Sequence, residues 1–483
     1  MKNSGEGPRH AANAMLGRNG SAGYTRSAAG EQERILKFQN VKGTRDFYPE
    51  QMARRNWLIG KWREISRRSG FVEYDGPVFE YLDLYTNKSG EGIVSELYNF
   101  EDRGGRKLAL RPEMTPTLAR MVAARANALP KPIKWFCVPN FFRAERPQRG
   151  RLREFWQWNV DIIGTTEEAN NVADAECVLV AVDFLREVGF SPEQVEMRIS
   201  SRKLIAQVLE TLGIEAARHA AVYVVLDKRD KLPAEVFIEQ VGTLALGEDQ
   251  RTALLKLGEA RGPEGIAMIE QLLGGNQPDE SPLGRLKGVF SLLKLMQVGD
   301  YCVFDPGIIR GLAYYTGIVF EAYSKGTLGR AICGGGRYDN LLKEVGGPAL
   351  SGVGFGMGDV IVLDQLEEMG LLNLDQPREG FYVVNEGMGR IDETMVIVSV
   401  VRFGLKQPCN HSYKRTSMKK QMQEASAHNV GHVIIVGDRI ALKNMATGEQ
   451  VDLSFNKKLE NEAECYEFLA ELRTLLGDSA KNT

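Results

Sequence analysis

The sequence predicts an α+β fold in which an antiparallel sheet is flanked by helices, interrupted by a helical insertion and followed by a small α/β domain. Three observations predict it. Strand-like runs at 135–142 and 155–163 are joined by an arginine-rich loop, and a second such pair, 98–102 and 106–111, flanks Arg103, Gly104 and Gly105; both patterns are hairpins. Helix-like stretches at 50–69, 115–127 and 165–188 surround these hairpins, and 191–298 is helix-dominated with one strand-like run at 222–226. Near the C-terminus, short strands at 381–384, 433–436 and 440–442 alternate with helices at 392–403 and 417–427. A chain of 483 residues exceeds one core, so two or three domains are expected.

Taken in order, residues 1–35 are rich in Gly, Ala, Ser and Arg and poor in large apolar residues, so this stretch is expected to be disordered. It lacks the apolar core of a secretory signal and is read as a flexible tail in preference to a transit peptide. Gly70 ends the first helix, and the strand-like segment FVEYDGPVFE (71–80) is interrupted by Pro77, which lacks an amide donor and belongs at a sheet edge or an interface. In LRPEMTPTLAR (110–120), Pro112 stops a strand, and Thr115 or Thr117 is placed to cap the next helix. Gly352, Gly354, Gly356 and Gly358 alternate before a helix beginning near Asp359. A glycine-rich turn entering a helix could cradle phosphates, although the spacing is not that of a dinucleotide-binding loop.

The stretch NFFRAERPQRGRLREFWQWNVDII (140–163) carries the chemistry. A period of two puts Phe155, Gln157, Asn159 and Asp161 on one face and Trp156, Trp158, Val160 and Ile162 on the other. Amide, carboxylate and a flat ring read ligands better than they solubilise a face. Arg143 and Glu145 share a face of the incoming strand. Between residues 143 and 154 five arginines stand against two glutamates, which points to a phosphate-rich ligand, because guanidinium forks match phosphate oxygens.

Composition narrows the chemistry. Apolar residues at 43% and charged residues at 26% describe an ordinary globular protein, and a net charge of -2 requires any nucleic-acid binding to come from local basic patches. No apolar run approaches the length of a membrane span. The six cysteines are scattered without a CxxC pair, which argues against a zinc site or a disulfide framework and for a reducing compartment, the cytoplasm. None of the five histidines falls in the arginine-rich or glycine-rich stretches, so neither a histidine base nor a metal held by protein His or Cys is expected. Such a site suits nucleotidyl transfer, in which the substrate brings the nucleophile and the protein supplies position and charge.

Phe-Arg-Ala-Glu (142–145), the basic loop, Arg151 and Phe155 resemble motif 2 of class II aminoacyl-tRNA synthetases, and ERPQRGRLREF resembles the histidyl-tRNA synthetase version. KGTRDFYPE (42–50) is similar to the opening of that family, IIRGLAYYTGIVFEAY (308–323) and CGGGRYDNLL (333–342) to its two histidine signatures, and the helix, strand and proline of 50–80 to class II motif 1, which builds a dimer interface. The resemblance implies a class II catalytic domain at 36–190 and 299–372, an insertion at 191–298 near the tRNA acceptor arm, with its Leu-Asp-Lys at 226–228, and an anticodon-binding α/β domain at 380–476. In the last of these, Lys414, Arg415, Lys419 and Lys420 form a basic patch.

By the same resemblance, Glu113 and Thr115 would take the α-amino group of L-histidine, Gln157 its carboxylate, Asp161, Tyr315 and Tyr338 would surround its ring, and Tyr314 would join them in the histidine site. Arg143 and Arg310 would be catalytic, with Arg310 reaching both the histidine carboxylate and the α-phosphate. Glu145, Arg151, Phe155 and Gly356 would join Arg143 around ATP, with Mg²⁺ as cofactor, and Arg146 and Gln148 would read the acceptor end of tRNA(His). Three departures stand out: Ala313 where the family often has aspartate, Asp161 where it commonly has glutamate, and Gly358-Asp359-Val360-Ile361 where it carries Gly-Leu-Glu-Arg, the arginine lying on ATP. The expected function is therefore ATP-dependent activation of histidine and charging of tRNA(His) by a homodimer. A non-catalytic histidine-sensing paralogue of the histidine biosynthesis pathway and a tRNA-binding module without activation chemistry stand as alternatives.

Overall fold

The computed structural model describes residues 24–26, 32–34, 38–86, 96–309, 314–325, 330–372, 374, 378–386, 390–414, 416–455 and 458–477. Two compact units divide the chain at Leu372 and Asn373. Within the segment expected to be disordered, β1 (Tyr24–Arg26) and β2 (Gln32–Arg34) pair antiparallel.

The first unit continues through α1 (Pro49–Arg68), β3 (Val72–Glu73), β4 (Phe79–Tyr81), α2 (Leu82–Thr86), β5 (Asn99–Glu101), β6 (Lys107–Leu110), α3 (Thr115–Arg125), β7 (Ile133–Cys137), β8 (Asn140–Phe142), β9 (Glu154–Ile163) and α4 (Asn170–Glu187). Then come β10 (Val195–Ser201), the helices α5 (Arg202–Thr211), α6 (Ala216–Leu226), α7 (Ala234–Thr243), α8 (Glu248–Glu259), α9 (Gly262–Leu272) and α10 (Pro282–Leu295), and β11 (Cys302–Phe304), β12 (Ile318–Ser324), β13 (Ala331–Tyr338), α11 (Leu341–Glu344), β14 (Gly352–Gly358) and α12 (Asp359–Glu368).

Among the described residues, the largest sheet has nine strands in the order β11-β10-β12-β13-β14-β9-β7-β3, with β8 also on β9. It is antiparallel except at its two ends, where β10 pairs β11 and β3 pairs β7 in parallel. The first helix shows how the sequence punctuates these elements. Pro49 opens α1, where its missing amide costs nothing, and Gly70, at φ 78°, turns the chain so that Gly70 N and Phe71 N reach the carbonyls of Arg67 and Ser66. Pro77 lies between β3, an edge strand, and β4, as an amide without a donor requires.

The apolar face of β9 anchors the core. Trp158, Val160 and Ile162 are buried with Leu58 and Trp62 of α1 and Phe184 of α4, and the rings of Trp62 and Trp158 stack at 6.1 Å. The Trp158 indole donates to Ser66 Oγ at 2.8 Å, so its one polar atom is satisfied inside the core.

Several sequence expectations are corrected here. The run 135–142 is two strands, because at Pro139 the chain leaves its register: β7 pairs residues 159–163 of β9 and β8 pairs 154–156. Neither threonine caps α3; its N-cap position is Met114, and Thr117 Oγ1 donates to Glu80 at 3.2 Å. The strand expected at 222–226 is the end of α6, where His219, Val222 and Val225 recur at helical spacing and bury one face. Its β-branched residues favour a strand locally, but packing overrides that preference. Residues 195–201, placed in the helical insertion, are instead β10 within the main sheet. The glycine-rich run 352–358 is a strand and not a turn.

The second unit contains a five-stranded sheet made of β15 (Phe381–Asn385), β16 (Cys409–His411), β17 (His432–Val436), β18 (Ile440–Asn444) and β19 (Gln450–Asp452), in the order β16-β15-β17-β18-β19. Helices α13 (Ile391–Val400), α14 (Met418–Ala427) and α15 (Glu462–Leu476) belong to it. Lys414, Lys419 and Lys420 are exposed at the start of α14, while Arg415 lies outside the described residues.

One buried ion pair ties β13 to α4. Arg337 Nε donates to Asp174 Oδ1 at 2.9 Å, and Nη1 and Nη2 reach the side-chain and main-chain oxygens of Asn170 at 3.0 Å. Removing one partner strands the other charge in the core. Asp174→Ala is expected to destabilise the first unit by roughly 3–5 kcal/mol. Urea unfolding followed by tryptophan fluorescence measures this unit, because all five tryptophans lie between residues 57 and 158; an unchanged midpoint would contradict the assignment.

Candidate active site

The polar face of β9 looks onto bare backbone. In the β14–β9 register Gly354 lies opposite Asp161, Gly356 opposite Asn159 and Gly358 opposite Gln157, and paired residues project to the same side. A Cβ on Gly354 would overlap Asp161 Oδ1 and lie 2.7 Å from the Val160 carbonyl oxygen. One on Gly356 would lie 2.8 Å from Gln157 Cδ, and one on Gly352 2.8 Å from Tyr338 Cζ. The alternating glycines thus make room for side chains from β9 and β13.

Those side chains line a cavity of about 190 Å³ bounded by Glu113, Thr115, Arg143, Gln157, Asn159, Asp161, Tyr314, Tyr315 and Tyr338. Every described residue expected to hold histidine is therefore in one place. The Tyr338 hydroxyl donates to Asp161 Oδ1 at 2.6 Å, and the Tyr314 hydroxyl to Glu113 Oε2 at 2.9 Å. Burial raises the Asp161 carboxyl to about 7, partly opposed by the Tyr338 hydrogen bond, and burial also raises the phenols of Tyr314, Tyr315 and Tyr338.

A second cavity, about 210 Å³, is lined by Arg143, Glu145, Gly150, Arg151, Phe155, Gln157, Glu321, Gly356, Val360 and Ile361 among others. All residues expected around ATP line it. Arg143, Gln157 and Gly356 line both cavities, so the two are neighbours with a shared wall. Arg143 Nε donates to the Pro112 carbonyl at 3.0 Å, and its guanidinium lies 5.2 Å from the centre of the Phe155 ring. Arg143 and Glu145 follow the end of β8 and are not strand residues, but they keep a common side by lining this cavity. Glu145 pairs with Arg151 at 3.1 Å. Arg146 and Gln148 are exposed at the hairpin tip, outside both cavities.

A family model described as histidyl-tRNA synthetase matches residues 43–358. The chain belongs to this family. It is 35% identical over 424 residues to the chloroplastic/mitochondrial histidine–tRNA ligase of Arabidopsis thaliana, covering 86% of this chain and 85% of that one. It is 38% identical over 418 residues to the histidine–tRNA ligase of Opitutus terrae, covering 85% and 93%. The fold is similar to the crystal structure of histidyl-tRNA synthetase from Nostoc sp. PCC 7120, with a TM-score of 0.73 at 21% identity, covering 91% of this chain and all of that one. The fold is that of a class II synthetase.

Within this histidyl-tRNA synthetase scaffold the departure at the start of α12 has a structural use. Asp359 is fully buried, accepts from Arg45 Nη2 at 2.7 Å and from Trp156 N at 3.0 Å, and so ties the KGTRDFYPE segment to β9. Sequence reasoning missed Asn159 and Glu321 as site residues. Asn159 stood on the polar face of β9, but Glu321 had no signal beyond its place two residues before Tyr323, whose hydroxyl donates to it. Arg310 and Ala313 lie outside the described residues.

Asp161 yields a pH test. A carboxyl whose folded-state pKa lies above its unfolded value of about 3.9 is neutral in the folded protein first, so its contribution to stability falls as pH rises toward 7. Relative to Asp161→Asn, which does not titrate, the wild-type thermal midpoint should drop steadily between about pH 4 and 7. Parallel profiles for the two proteins would show that the carboxyl is not raised.

Proposed function

We propose that the chain activates L-histidine with ATP to histidyl-adenylate, releasing pyrophosphate, and then transfers the histidyl group to the 3′ end of tRNA(His). The observation that carries this reading is the pair of cavities sharing Arg143 and Gln157: one lined by carboxylates and phenols, the other approached by guanidinium groups. A histidine in the first cavity places its amino group at Glu113 and Thr115 and its ring among Tyr315, Tyr338 and Asp161. An apolar analogue would leave Asp161 and Tyr338 without a ligand partner, which is how such a site discriminates. Its carboxylate points toward Gln157 and the shared wall. There a carboxylate oxygen attacks the α-phosphorus of ATP, the bond to the β-phosphate breaks, and pyrophosphate leaves. Arg143, standing at that wall, offsets charge on the α-phosphoryl oxygens, and Arg310 is assigned to the same task. In the second step a terminal ribose hydroxyl of tRNA attacks the activated carbonyl carbon and AMP leaves.

Among the described residues no three His, Cys, Asp or Glu side chains converge on a metal cage. The donor set fits Mg²⁺ carried mainly by phosphate oxygens and water, with Glu321 of the nucleotide cavity as the protein carboxylate. Bound there, Mg²⁺ would neutralise phosphate charge.

Arg146 and Gln148, exposed at the hairpin tip, are assigned to the acceptor end, residues 191–298 to its vicinity, and 380–476 with exposed Lys414, Lys419 and Lys420 to the anticodon arm. Self-association is assigned to the motif 1 segment, where Val72, Val78 and Phe79 are exposed and β3 is an edge strand. The cytoplasm is the proposed compartment; no helix among the described residues is long and apolar enough to cross a membrane. The names of the curated relatives, histidine–tRNA ligases, favour this reading over a regulatory paralogue.

The test is histidine-dependent exchange of labelled pyrophosphate into ATP. Exchange should require histidine among the amino acids and fall by roughly a hundredfold or more in Arg143→Ala, the size expected for a lost charge-stabilising group. Histidine binding without any exchange would contradict the proposal.

A further inference from the structure

The entry to α12 lines the nucleotide cavity with Gly358, Val360 and Ile361 and offers it no cation. Asp359, between them, is committed to Arg45 and to the Trp156 amide. Arg330 stands beside this wall, immediately before β13, whose residues Ala331, Ile332 and Cys333 line the same cavity. Its Nη1 is buried and makes no hydrogen bond. A methyl group on Gly150, in the motif 2 loop, would lie 3.4 Å from Ile361 Cγ1 and 3.6 Å from Arg330 Nη1. The loop, Ile361 and the Arg330 guanidinium therefore meet at one point of the cavity wall, with Arg330 behind the lining residues.

The neighbouring arginines are engaged. Arg151 pairs with Glu145, Arg149 with Glu368, and Arg153 donates to the carbonyls of Glu145 and Lys42. A buried donor without an acceptor is costly, and a partner arriving from outside would satisfy it. A guanidinium nitrogen directly behind Gly150 and Ile361, which line a cavity that already presents Arg143, matches a phosphate oxygen. We propose that Arg330 is a nucleotide-contacting residue, which gives the phosphates of ATP the positive charge that the Gly358–Ile361 segment lacks. This deepens the reading of the second cavity as the ATP site and rests on it.

The test compares the full-length wild type with Arg330→Ala and with the double variant Arg330→Ala/Ile361→Arg, which moves the guanidinium to the other side of the same point. ATP and histidine affinities are measured by equilibrium dialysis with labelled ligands, and the KM for ATP by pyrophosphate exchange. Arg330→Ala is expected to weaken ATP binding and raise the KM for ATP by roughly tenfold or more, to leave histidine affinity within about twofold, and to be rescued at least in part by Ile361→Arg. ATP affinity and KM within about twofold of wild type, at an unchanged thermal midpoint, would overturn the proposal. Should Arg330→Ala not fold, Arg330→Gln, which keeps polar bulk without the charge, carries the same expectation. Should the wild type bind ATP but catalyse no exchange, the proposed activity fails, while the ATP affinities still decide the role of Arg330.

Discussion

The face of β14 turned toward β9 and Tyr338 has no room for a Cβ at Gly352, Gly354 or Gly356, and the rest of the site depends on that constraint. Because this strand contributes no side chains on that face, Gln157, Asp161 and Tyr338 can lie over it from the adjacent strands and enclose a small polar cavity inside a nine-stranded sheet. The other face of the same strands is packed. Trp158 and Phe355 touch edge to face at 5.0 Å, and Trp158 also meets Trp62 and Phe184. A flat polar floor and a dense aromatic underside are two consequences of one alternating register.

Charge is divided along this floor. At one end buried carboxyl groups are each met by a phenol, Asp161 by Tyr338 and Glu113 by Tyr314. At the other end guanidinium groups gather from the hairpin, and Arg143 stands between the two. Desolvation keeps the acidic end from being a simple negative patch: burial raises the Asp161 carboxyl to about 7, so its charge can respond to a ligand that brings a proton or an N–H donor. A substrate whose amine and imidazole face the carboxyl groups while its carboxylate faces Arg143 fits this polarity. An anionic nucleotide fits the opposite end.

Much of this was legible in the chain. The period-two face of β9 puts Gln157, Asn159 and Asp161 together, and the resemblance to the two histidine signatures implies Tyr314, Tyr315 and Tyr338 beside them. The turn chemistry of Gly70 and of Arg103-Gly104-Gly105 was equally direct, because a positive φ or a tight reversal is written in local residues. What escaped depended on distant contacts. The glycine alternation of β14 read as a loop because glycine has low strand propensity; only the side chains of neighbouring strands explain why it must be a strand. The β-branched end of α6 followed tertiary packing against its local preference, and Asp359 gained its role from Arg45, more than three hundred residues earlier in the chain.

The most direct measurement is calorimetric histidine binding to Gly354→Ala, with ATP binding to the same protein as the internal control, since Gly354 lines the first cavity and not the second. A methyl group there should displace Asp161 and weaken histidine by roughly tenfold or more while ATP binds within about twofold of wild type. Histidine binding as tight as in the wild type would contradict the view that bare backbone at this position makes the site.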